Sequence, residues 1–499
     1  MKIAGFLFLC LFSVPTQSKA SPQTDSLVLK SQQAKQFMAE GSFARAISLY
    51  RELNRAVPNN PGLKVNLGMA LQMAGKKREA IPVLEEALKL DPGLAPAWLF
   101  LGATRLQLGE TTAAIKPLKM VLTLQPDQRE ARQMLADALL SLDRPEEATA
   151  EYRGLTAADP ENAPAWYGLG RSYESLSRRA FDELQETAAE SAYVLALLAE
   201  TRLREQQLSS AFFLYRHALE QMPTLHGLHR AIADIYRQTG HSDWADTEER
   251  KESQLPSPDC GDPTPECQFA AGHYNELIAA TKEKDTAESL YWRSRAYNQL
   301  ALDAFTRLGQ LPASAELHEF KARIYNSQKK YREAADEWRE ALKLSPKDRQ
   351  IQKELGISLK LVQDYSAALP LFQDLLRQQP TSAELNYLVG DTLLERQRAE
   401  EAVPLLKRAV IHDPKSIVAH KSLARAELAA GKAMQAIPHL KIALPADADG
   451  TLHYQLAQAY RASGQAELAK KTLADYQRIL RSAAAKREAA KQETEITPP

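Results

Sequence analysis

Two cysteines, Cys260 and Cys267, are the residues whose chemistry depends most directly on their spacing. Both lie in a proline-rich segment, Pro258-Asp-Cys-Gly-Asp-Pro-Thr-Pro-Glu-Cys267. A cysteine pair of this kind can close into a disulfide in an oxidising compartment, and this is the interpretation we favour. Two free thiols are the alternative. A zinc site is the third possibility, but zinc requires four ligands and only His273 lies nearby.

His226 and His229 are a second candidate pair. A spacing of three residues on a helix could present both imidazoles to one metal ion. No cysteine or carboxylate completes the site locally, so two surface or partly packed histidines are the favoured interpretation. We therefore expect no metal and no cofactor.

The local signatures of catalysis are absent from the sequence. There is no His-Glu-x-x-His, no Gly-x-Ser-x-Gly and no glycine-rich phosphate loop followed by Lys and Ser or Thr. The segment most similar to a glycine-rich phosphate loop, Gly168-Leu-Gly170, falls within a predicted helix. The sequence predicts a protein that is not an enzyme, and an enzyme with a cryptic site is the least favoured hypothesis.

The balance of basic and acidic residues bears on whether the protein binds nucleic acid. The chain has 63 basic and 63 acidic residues and no long block of like charge. Because a phosphate-binding surface needs clustered, unpaired Lys and Arg, nucleic acid is not expected as a partner.

The first twenty residues are typical of a secretory signal peptide. An apolar run from Ile3 to Val14 precedes a polar stretch with Ser18 and Ala20 at the positions that a signal peptidase recognises. A lipoprotein would use Cys10, but Leu9 stands where a small residue is required. The run is too short to span a bilayer. We expect an exported protein, periplasmic or secreted, with no transmembrane segment in the mature chain.

A repeat of 34 residues organises most of the chain. The prolines that show it are Pro58, Pro92, Pro126 and Pro160, and an alanine lies twelve positions before each one: Ala46, Ala80, Ala114 and Ala148. Apolar residues recur at spacings of three and four within each unit, which indicates amphipathic helices. Glycines such as Gly75 and Gly109 interrupt the pattern midway. Each unit is therefore predicted to be two helices of about 12 to 14 residues joined by a tight turn.

This pattern of Trp, Leu-Gly, Tyr, Ala, aromatic, Ala and Pro resembles the tetratricopeptide repeat across residues 27–480. The resemblance implies an all-α fold, a right-handed superhelical solenoid of about 13 helical hairpins. It also implies a concave groove that binds other proteins or peptides, lined by places 2, 5, 9 and 12 of each unit. In this sequence the basic and aromatic residues at those places include Tyr167, Arg171, Arg230, Arg237, Arg323, Lys353, Lys421, Arg425, Tyr454 and Arg461. Acidic residues at the same places include Glu130, Asp137, Glu174, Glu200, Asp234, Glu319, Glu384 and Asp391.

Two units depart from the repeat and match each other. The series Arg171, Tyr173, Leu176, Ala180, Phe181 and Leu184 returns as Arg295, Tyr297, Leu300, Ala304, Phe305 and Leu308. Both copies lack the midway glycine, so we expect each to pack its hairpin differently and to bend the solenoid.

The predicted domains follow from these patterns. They are a signal peptide (1–20), an N-terminal array (27–259), a joint with the cysteine loop and a degenerate hairpin (260–286), a C-terminal array (287–480), and a charged capping helix end with a disordered tail (481–499).

The leading functional hypothesis is a scaffold or adaptor that binds partner polypeptides outside the cytoplasm. The alternative is an accessory subunit of a cell-envelope assembly or polysaccharide export machine, as part of a membrane-associated complex. The sequence alone does not separate the two.

Overall fold

The computed structural model describes residues 22–257, 260–261, 264–493 and 495–499, with side chains described for 26–257, 260–261, 264–484 and 495–499. The predicted signal peptide lies outside these residues. Within them the regular structure is entirely helical, in a repeated hairpin arrangement, which confirms the all-α solenoid. None of the described helices combines the length and the apolar composition needed to cross a membrane.

Helices pair along the chain in the order of the predicted units. The first eight are α1 (Pro22–Ala39), α2 (Phe43–Ala56), α3 (Pro61–Met73), α4 (Lys77–Leu90), α5 (Ala95–Gln107), α6 (Thr111–Leu124), α7 (Arg129–Ser141) and α8 (Pro145–Ala158). The next eight are α9 (Ala163–Ala188), α10 (Ala192–Arg204), α11 (Leu208–Gln221), α12 (Leu228–Gln238), α13 (Ser242–Ser253), α14 (Pro265–Ala270), α15 (Tyr274–Thr281) and α16 (Ala287–Gly309). The last ten are α17 (Ala315–Ser327), α18 (Tyr331–Leu344), α19 (Arg349–Leu361), α20 (Tyr365–Gln378), α21 (Ala383–Glu395), α22 (Ala399–His412), α23 (Ile417–Ala429), α24 (Ala433–Ala443), α25 (Thr451–Ala462) and α26 (Ala466–Glu493). A short 3-10 turn, Leu444–Ala446, follows α24.

The turn within a hairpin requires a left-handed backbone conformation. Gly75 and Gly109 both have φ of +78°, a region that glycine enters without steric cost. Asp143, Gln363 and Gln397 occupy the same place with φ between 54° and 64°. The predicted turns are therefore present, and some units form them without glycine.

Small residues allow the two helices of each hairpin to cross closely. A Cβ added to Gly68 would lie 2.6 Å from the Leu84 side chain, and one added to Gly356 would lie 2.5 Å from the ring of Phe372. Ala80 is fully buried at the same kind of crossing. These contacts explain the fixed places of Gly and Ala in the repeat, because interior packing leaves no room for larger side chains.

The two departing units do not form hairpins of their own. The sequence predicts a differently packed hairpin in each, but α9 is one helix of 26 residues and α16 is one helix of 23. They lie against each other. The rings of Tyr173 and Tyr297 stack with centroids 6.3 Å apart, and the hydroxyl oxygens of Ser177 and Ser294 are 3.0 Å apart. Without a turn glycine each unit continues as one long helix. Helices α9 and α16 then pack against each other, in the place where the second helix of a hairpin would pack.

This pairing joins the early and late parts of the chain into one array. A single buried core runs from Ala103 through Tyr152 and Leu169 to Phe305 and Leu317. The first half of α9 and the second half of α16 thus act together as one unit between α8 and α17. The structure has this junction where the sequence predicts a local bend, and the bend itself stays a prediction.

Helices α10–α15 form a side module. The chain enters this module from the end of α9 and rejoins the main array through α16. Its core includes Leu184 at the end of α9, Tyr215, Tyr236, Leu277 and Trp292 near the start of α16. The degenerate hairpin is α14 with α15, joined at Gly272 with φ of +77°. The predicted boundaries at 260 and 286 stay a prediction, since packing alone does not define the units that fold separately.

The end of the chain differs from the predicted disordered tail. Helix α26 extends to Glu493, and residues 495–499 contact the side module through hydrogen bonds of Thr497. Ile496 packs against the module's core, which gives the segment an apolar anchor.

Candidate functional site

The candidate site is the face presented by the first helices of successive units. On this face α17 lies next to α9, although the two helices are far apart in sequence. They are neighbours because α9 and α16 together form one unit, in which α9 is the first helix and α16 is the second, and α17 begins the next unit. We call the stretch on α7, α9, α17 and α19 the central groove. Its charged side chains are Asp137, Arg171, Glu174, Glu316, Glu319, Arg323, Lys353 and Glu354.

Two hydrogen bonds between a tyrosine and a carboxylate lie in the central groove. The hydroxyl of Tyr152 donates to Asp137 Oδ1 at 2.6 Å, and that of Tyr167 donates to Glu319 Oε1 at 2.6 Å. Desolvation raises the pKa of Asp137, the hydrogen bond from Tyr152 opposes this, and the charge of Glu316 adds to it. Desolvation likewise raises the pKa of Glu319 against the hydrogen bond from Tyr167. Glu319 is partly buried and Asp137 is exposed, and neither carboxylate has a cation within 4 Å in the part of the chain that the structure describes, so a positive group from a partner would be stabilised beside them.

Arg323 and Arg171 are the arginines of the central groove. Arg323 Nη2 lies 3.0 Å from Glu174 Oε2, which ties α17 to α9. Arg171 is exposed, and its guanidinium carbon lies 5.8 Å from the centroid of the Tyr167 ring. No carboxylate of the described residues lies within 4 Å of Arg171. Of the two, Arg171 is the one available to bind an acceptor of a partner.

Farther along the face, the basic residues are occupied by ion pairs. Lys353 Nζ lies 3.0 Å from Glu384 Oε1, and Lys360 Nζ lies 2.6 Å from Asp391 Oδ2. The Asp391 side chain is 6% exposed and also accepts a hydrogen bond from Ser422 at 2.6 Å. Desolvation acts to lower the pKa of Lys360, but the charge of Asp391, its hydrogen bond with Lys360 and the nearby Tyr387 and Glu395 together raise that pKa. These pairs hold neighbouring first helices together.

Beyond α21 the first-helix face carries exposed basic residues. Arg425 pairs with Glu395 at 3.0 Å. Lys421 and Arg461 are exposed, and neither has a carboxylate within 4 Å in the part of the chain that the structure describes. Tyr454 is 44% exposed. This end offers cationic and aromatic contacts, in contrast to the acidic central groove.

Two of the predicted basic groove residues lie elsewhere. Arg230 and Arg237 are on α12, in the side module. Arg237 forms ion pairs with Asp234 and Glu249. Two of the predicted acidic residues, Glu200 on α10 and Asp234 on α12, also lie in the side module, and the other predicted residues lie on first helices of the main array.

His226 and His229 each contact their own carboxylate. The Nδ1 atom of His226 lies 3.0 Å from Glu266 Oε1, and that of His229 lies 2.5 Å from Glu248 Oε2. Among the described residues no three potential ligands form a group suited to a metal ion. The pair thus acts as two separate contacts: His226, in the turn before α12, contacts α14, and His229, on α12, contacts α13.

Sequence reasoning missed Glu354, because it lies one position beyond a groove place of its unit. It accepts a hydrogen bond from Gln350 Nε2 at 2.7 Å, and desolvation raises its pKa. No cation lies within 4 Å of it in the described chain. Glu354 adds one more unpaired carboxylate to the central groove.

Arg295, the copy of Arg171 in the second departing unit, was also missed. Its guanidinium carbon lies 4.7 Å from the ring centroid of Phe269 and 5.3 Å from that of Trp292, and Nε lies 3.2 Å from Glu200 Oε1. The correspondence between the two departing units was the signal that could have identified it. The aromatic rings occupy Arg295 within the side module, whereas Arg171 stays accessible.

Cys260 and Cys267 are bonded to each other in the structure, with their Cα atoms 5.6 Å apart. Cys267 is buried near the start of α14, where its backbone N–H donates to the Thr264 hydroxyl. The bond closes the loop that leads from α13 into the degenerate hairpin.

Comparison with known proteins shows the repeat independently. Two models of the tetratricopeptide repeat family match the chain, one at residues 105–173 and 362–426, the other at 32–95 and 65–129. The Protein CTR9 homolog of Arabidopsis thaliana is 22% identical over 231 residues, which are 43% of this chain and 21% of that protein. The Cellulose synthase 2 operon protein C of Komagataeibacter xylinus is 29% identical over 170 residues, which are 32% of this chain and 13% of that protein. The chain thus spans about a fifth or less of the length of these relatives.

A solved tetratricopeptide repeat protein from Parabacteroides merdae aligns with 67% of this chain and 99% of its own, at 15% identity and a TM-score of 0.33. The family matches cover units in both the early and the late part of the chain, and the hairpins have the helix lengths, turns and close crossings of the 34-residue repeat. The chain belongs to the tetratricopeptide repeat proteins, a family that acts as scaffolds for protein interactions.

Proposed function

We propose that this protein is a scaffold that binds a partner polypeptide along the first-helix face, with the central groove as the main contact. The observation that carries the proposal is the imbalance of unpaired charge. Asp137, Glu316, Glu319 and Glu354 have no cation within 4 Å in the described chain, whereas Arg171 is the single unpaired cation among the residues that define the groove. A segment with Lys or Arg side chains would compensate these carboxylates, and Arg171 would bind one of its carbonyl or carboxylate oxygens.

Site-specific photo-crosslinking tests this proposal. A photoreactive amino acid in place of the exposed Arg171 reports on the groove. The matched control is Ile411, which is 71% exposed on the second helix α22. We expect a defined crosslinked partner from position 171 and none from position 411. Equal crosslinking from both positions would contradict a specific groove.

We place this function outside the cytoplasm. Residues 1–20 have the composition of a signal peptide, and an exported chain would meet the oxidising conditions that a Cys260–Cys267 bond needs. Intact mass and N-terminal sequencing of the protein from cell-envelope fractions test this. We expect a mature chain that begins after Ala20, and a chain that retains Phe6 would refute the cleavage.

An accessory role in an envelope machine is the second candidate. It is favoured by the match to a protein named for a cellulose synthase operon. Crosslinking pull-down from envelope fractions separates the candidates: one fixed multi-subunit complex favours the accessory subunit, and several loosely bound clients favour the adaptor.

Catalysis is the remaining alternative, and the fold is typically that of a non-catalytic scaffold. A broad activity screen addresses it. Turnover abolished by a single His or Glu substitution would overturn the scaffold proposal.

A further inference from the structure

Residues 495–499, Glu-Ile-Thr-Pro-Pro, lie on the side module and make specific contacts with it. We call them the Thr-Pro segment. Arg216 Nη1 on α11 donates to the hydroxyl oxygen of Thr497 at 2.6 Å, and the hydroxyl of Tyr236 on α12 donates to the Thr497 carbonyl at 2.6 Å. One threonine is thus held through both its side chain and its backbone, by two different helices.

An apolar contact accompanies these hydrogen bonds. Ile496 packs against the core of the side module. Beside it the Tyr236 ring lies 5.4 Å from Phe212 and 5.4 Å from Trp244, measured between centroids. The guanidinium carbon of Arg216 lies 5.9 Å from the Phe212 ring centroid, which positions the donor over the aromatic surface. The surface therefore combines an apolar contact with two oriented donors.

The chemistry of the segment suits such a surface. Pro498 follows Thr497, and a residue before proline is disfavoured in helical conformation. The carbonyl of Thr497 is therefore free to accept a hydrogen bond from another element. Two successive prolines also restrict the backbone before binding, which lowers the conformational entropy lost when the segment docks. With the segment in place Tyr236 is 1% exposed.

We infer that the surface formed by Phe212, Arg216 and Tyr236 is a second peptide-binding site, separate from the central groove, and that its ligand is the chain's own Thr-Pro segment. The recognised chemistry is an extended apolar-Thr-Pro sequence. Because the segment belongs to the same chain as the site, its docking is intramolecular and does not depend on protein concentration. A free peptide of the same sequence must compete with it.

Peptide binding to the full-length protein tests the assignment. The probe is a fluorescently labelled peptide, Glu-Ile-Thr-Pro-Pro, and binding is measured by anisotropy. Ile496→Asp places a charge against the apolar core and should release the intramolecular segment. We expect the Ile496→Asp protein to bind the peptide at least tenfold more tightly than the wild type.

Further substitutions in the Ile496→Asp background identify the donors. Adding Tyr236→Phe together with Arg216→Ala should weaken peptide binding at least tenfold. The matched control is Arg237→Ala, which removes a neighbouring arginine of α12 that pairs with Asp234 and Glu249 instead of the segment. This control should leave peptide binding unchanged. Equal binding by wild type and Ile496→Asp, no binding by either, or no effect of the donor substitutions would each overturn the proposal.

Hydrogen exchange provides a measurement that does not depend on the peptide. Exchange across α12 should increase in Ile496→Asp compared with the wild type, and the wild-type protection should not change with protein concentration. Unchanged exchange would show that the segment does not dock. Protection that rises with concentration would overturn the intramolecular assignment.

Discussion

Substitution of Gly170 by alanine is the sharpest test of the junction between α9 and α16. A Cβ at Gly170 would lie 2.5 Å from Cε1 and 2.7 Å from Cζ of Phe305. Carbon atoms pack favourably at about 3.5 to 4.0 Å, so the ring or the helix must move by about 1 Å. The Phe305 ring has little room, because it is 5% exposed and stacks on Phe320 with centroids 4.2 Å apart.

The expected magnitude follows from two opposing contributions. Overpacking a core costs about 1 to 3 kcal/mol. Replacing glycine within a helix returns up to about 1 kcal/mol through helix propensity. We therefore expect Gly170→Ala to lower the free energy of unfolding by about 1 to 2 kcal/mol.

Two matched variants make the measurement specific. Gly309→Ala, at the exposed end of α16, places its Cβ in open space and should be neutral or slightly stabilising. Gly356→Ala meets Phe372 at 2.5 Å within an ordinary hairpin and should be destabilising like Gly170→Ala. Urea unfolding followed by circular dichroism compares the three midpoints. If Gly170→Ala matches Gly309→Ala instead of Gly356→Ala, then α9 and α16 do not pair as described.

Three further predictions concern the core, the groove and the cysteine loop. Ala80→Leu and Ala334→Leu, both at fully buried crossings, should each cost about 1 to 3 kcal/mol; urea midpoints measure this, and neutrality at both sites would refute the repeat register. Glu354→Gln should stabilise the protein near neutral pH: desolvation raises the folded-state pKa of Glu354, so the cost of its charge is present above that pKa and is relieved as the pH falls through it. Urea midpoints at pH 7.5 and pH 5 should therefore show the advantage of the variant shrinking at the lower pH, and a growing advantage would contradict the sign. Reduction of the Cys260–Cys267 bond should leave global folding intact, because a short loop contributes only about 2 to 3 kcal/mol, but should increase hydrogen exchange across residues 268–286. Differential alkylation tests the bond itself, and free thiols in protein from its export compartment would refute it.

The sequence by itself determined the repeating part of this protein. The turn at Gly75, the buried Ala80 and the close crossing of Gly68 with Leu84 all depend on residues within one unit of 34. Such short-range patterns of helix period, turn chemistry and side-chain size are legible in a single sequence. The first-helix face could be predicted for the same reason, and eight of the ten basic and aromatic residues assigned to it lie on the first helices of the main array.

Only the tertiary structure decided which distant segments meet. The missing turn glycine of the two departing units was visible, but it indicated an altered hairpin. Nothing local specified that Gly170 would pack against Phe305, or that the hydroxyl of Tyr167 would bond to Glu319, 152 positions away. The contact of Tyr236 with Thr497 spans 261 positions. The apolar face of a helix indicates that this face is buried, but it does not identify the helix that packs against it. These long-range contacts therefore depend on the tertiary structure of the whole chain.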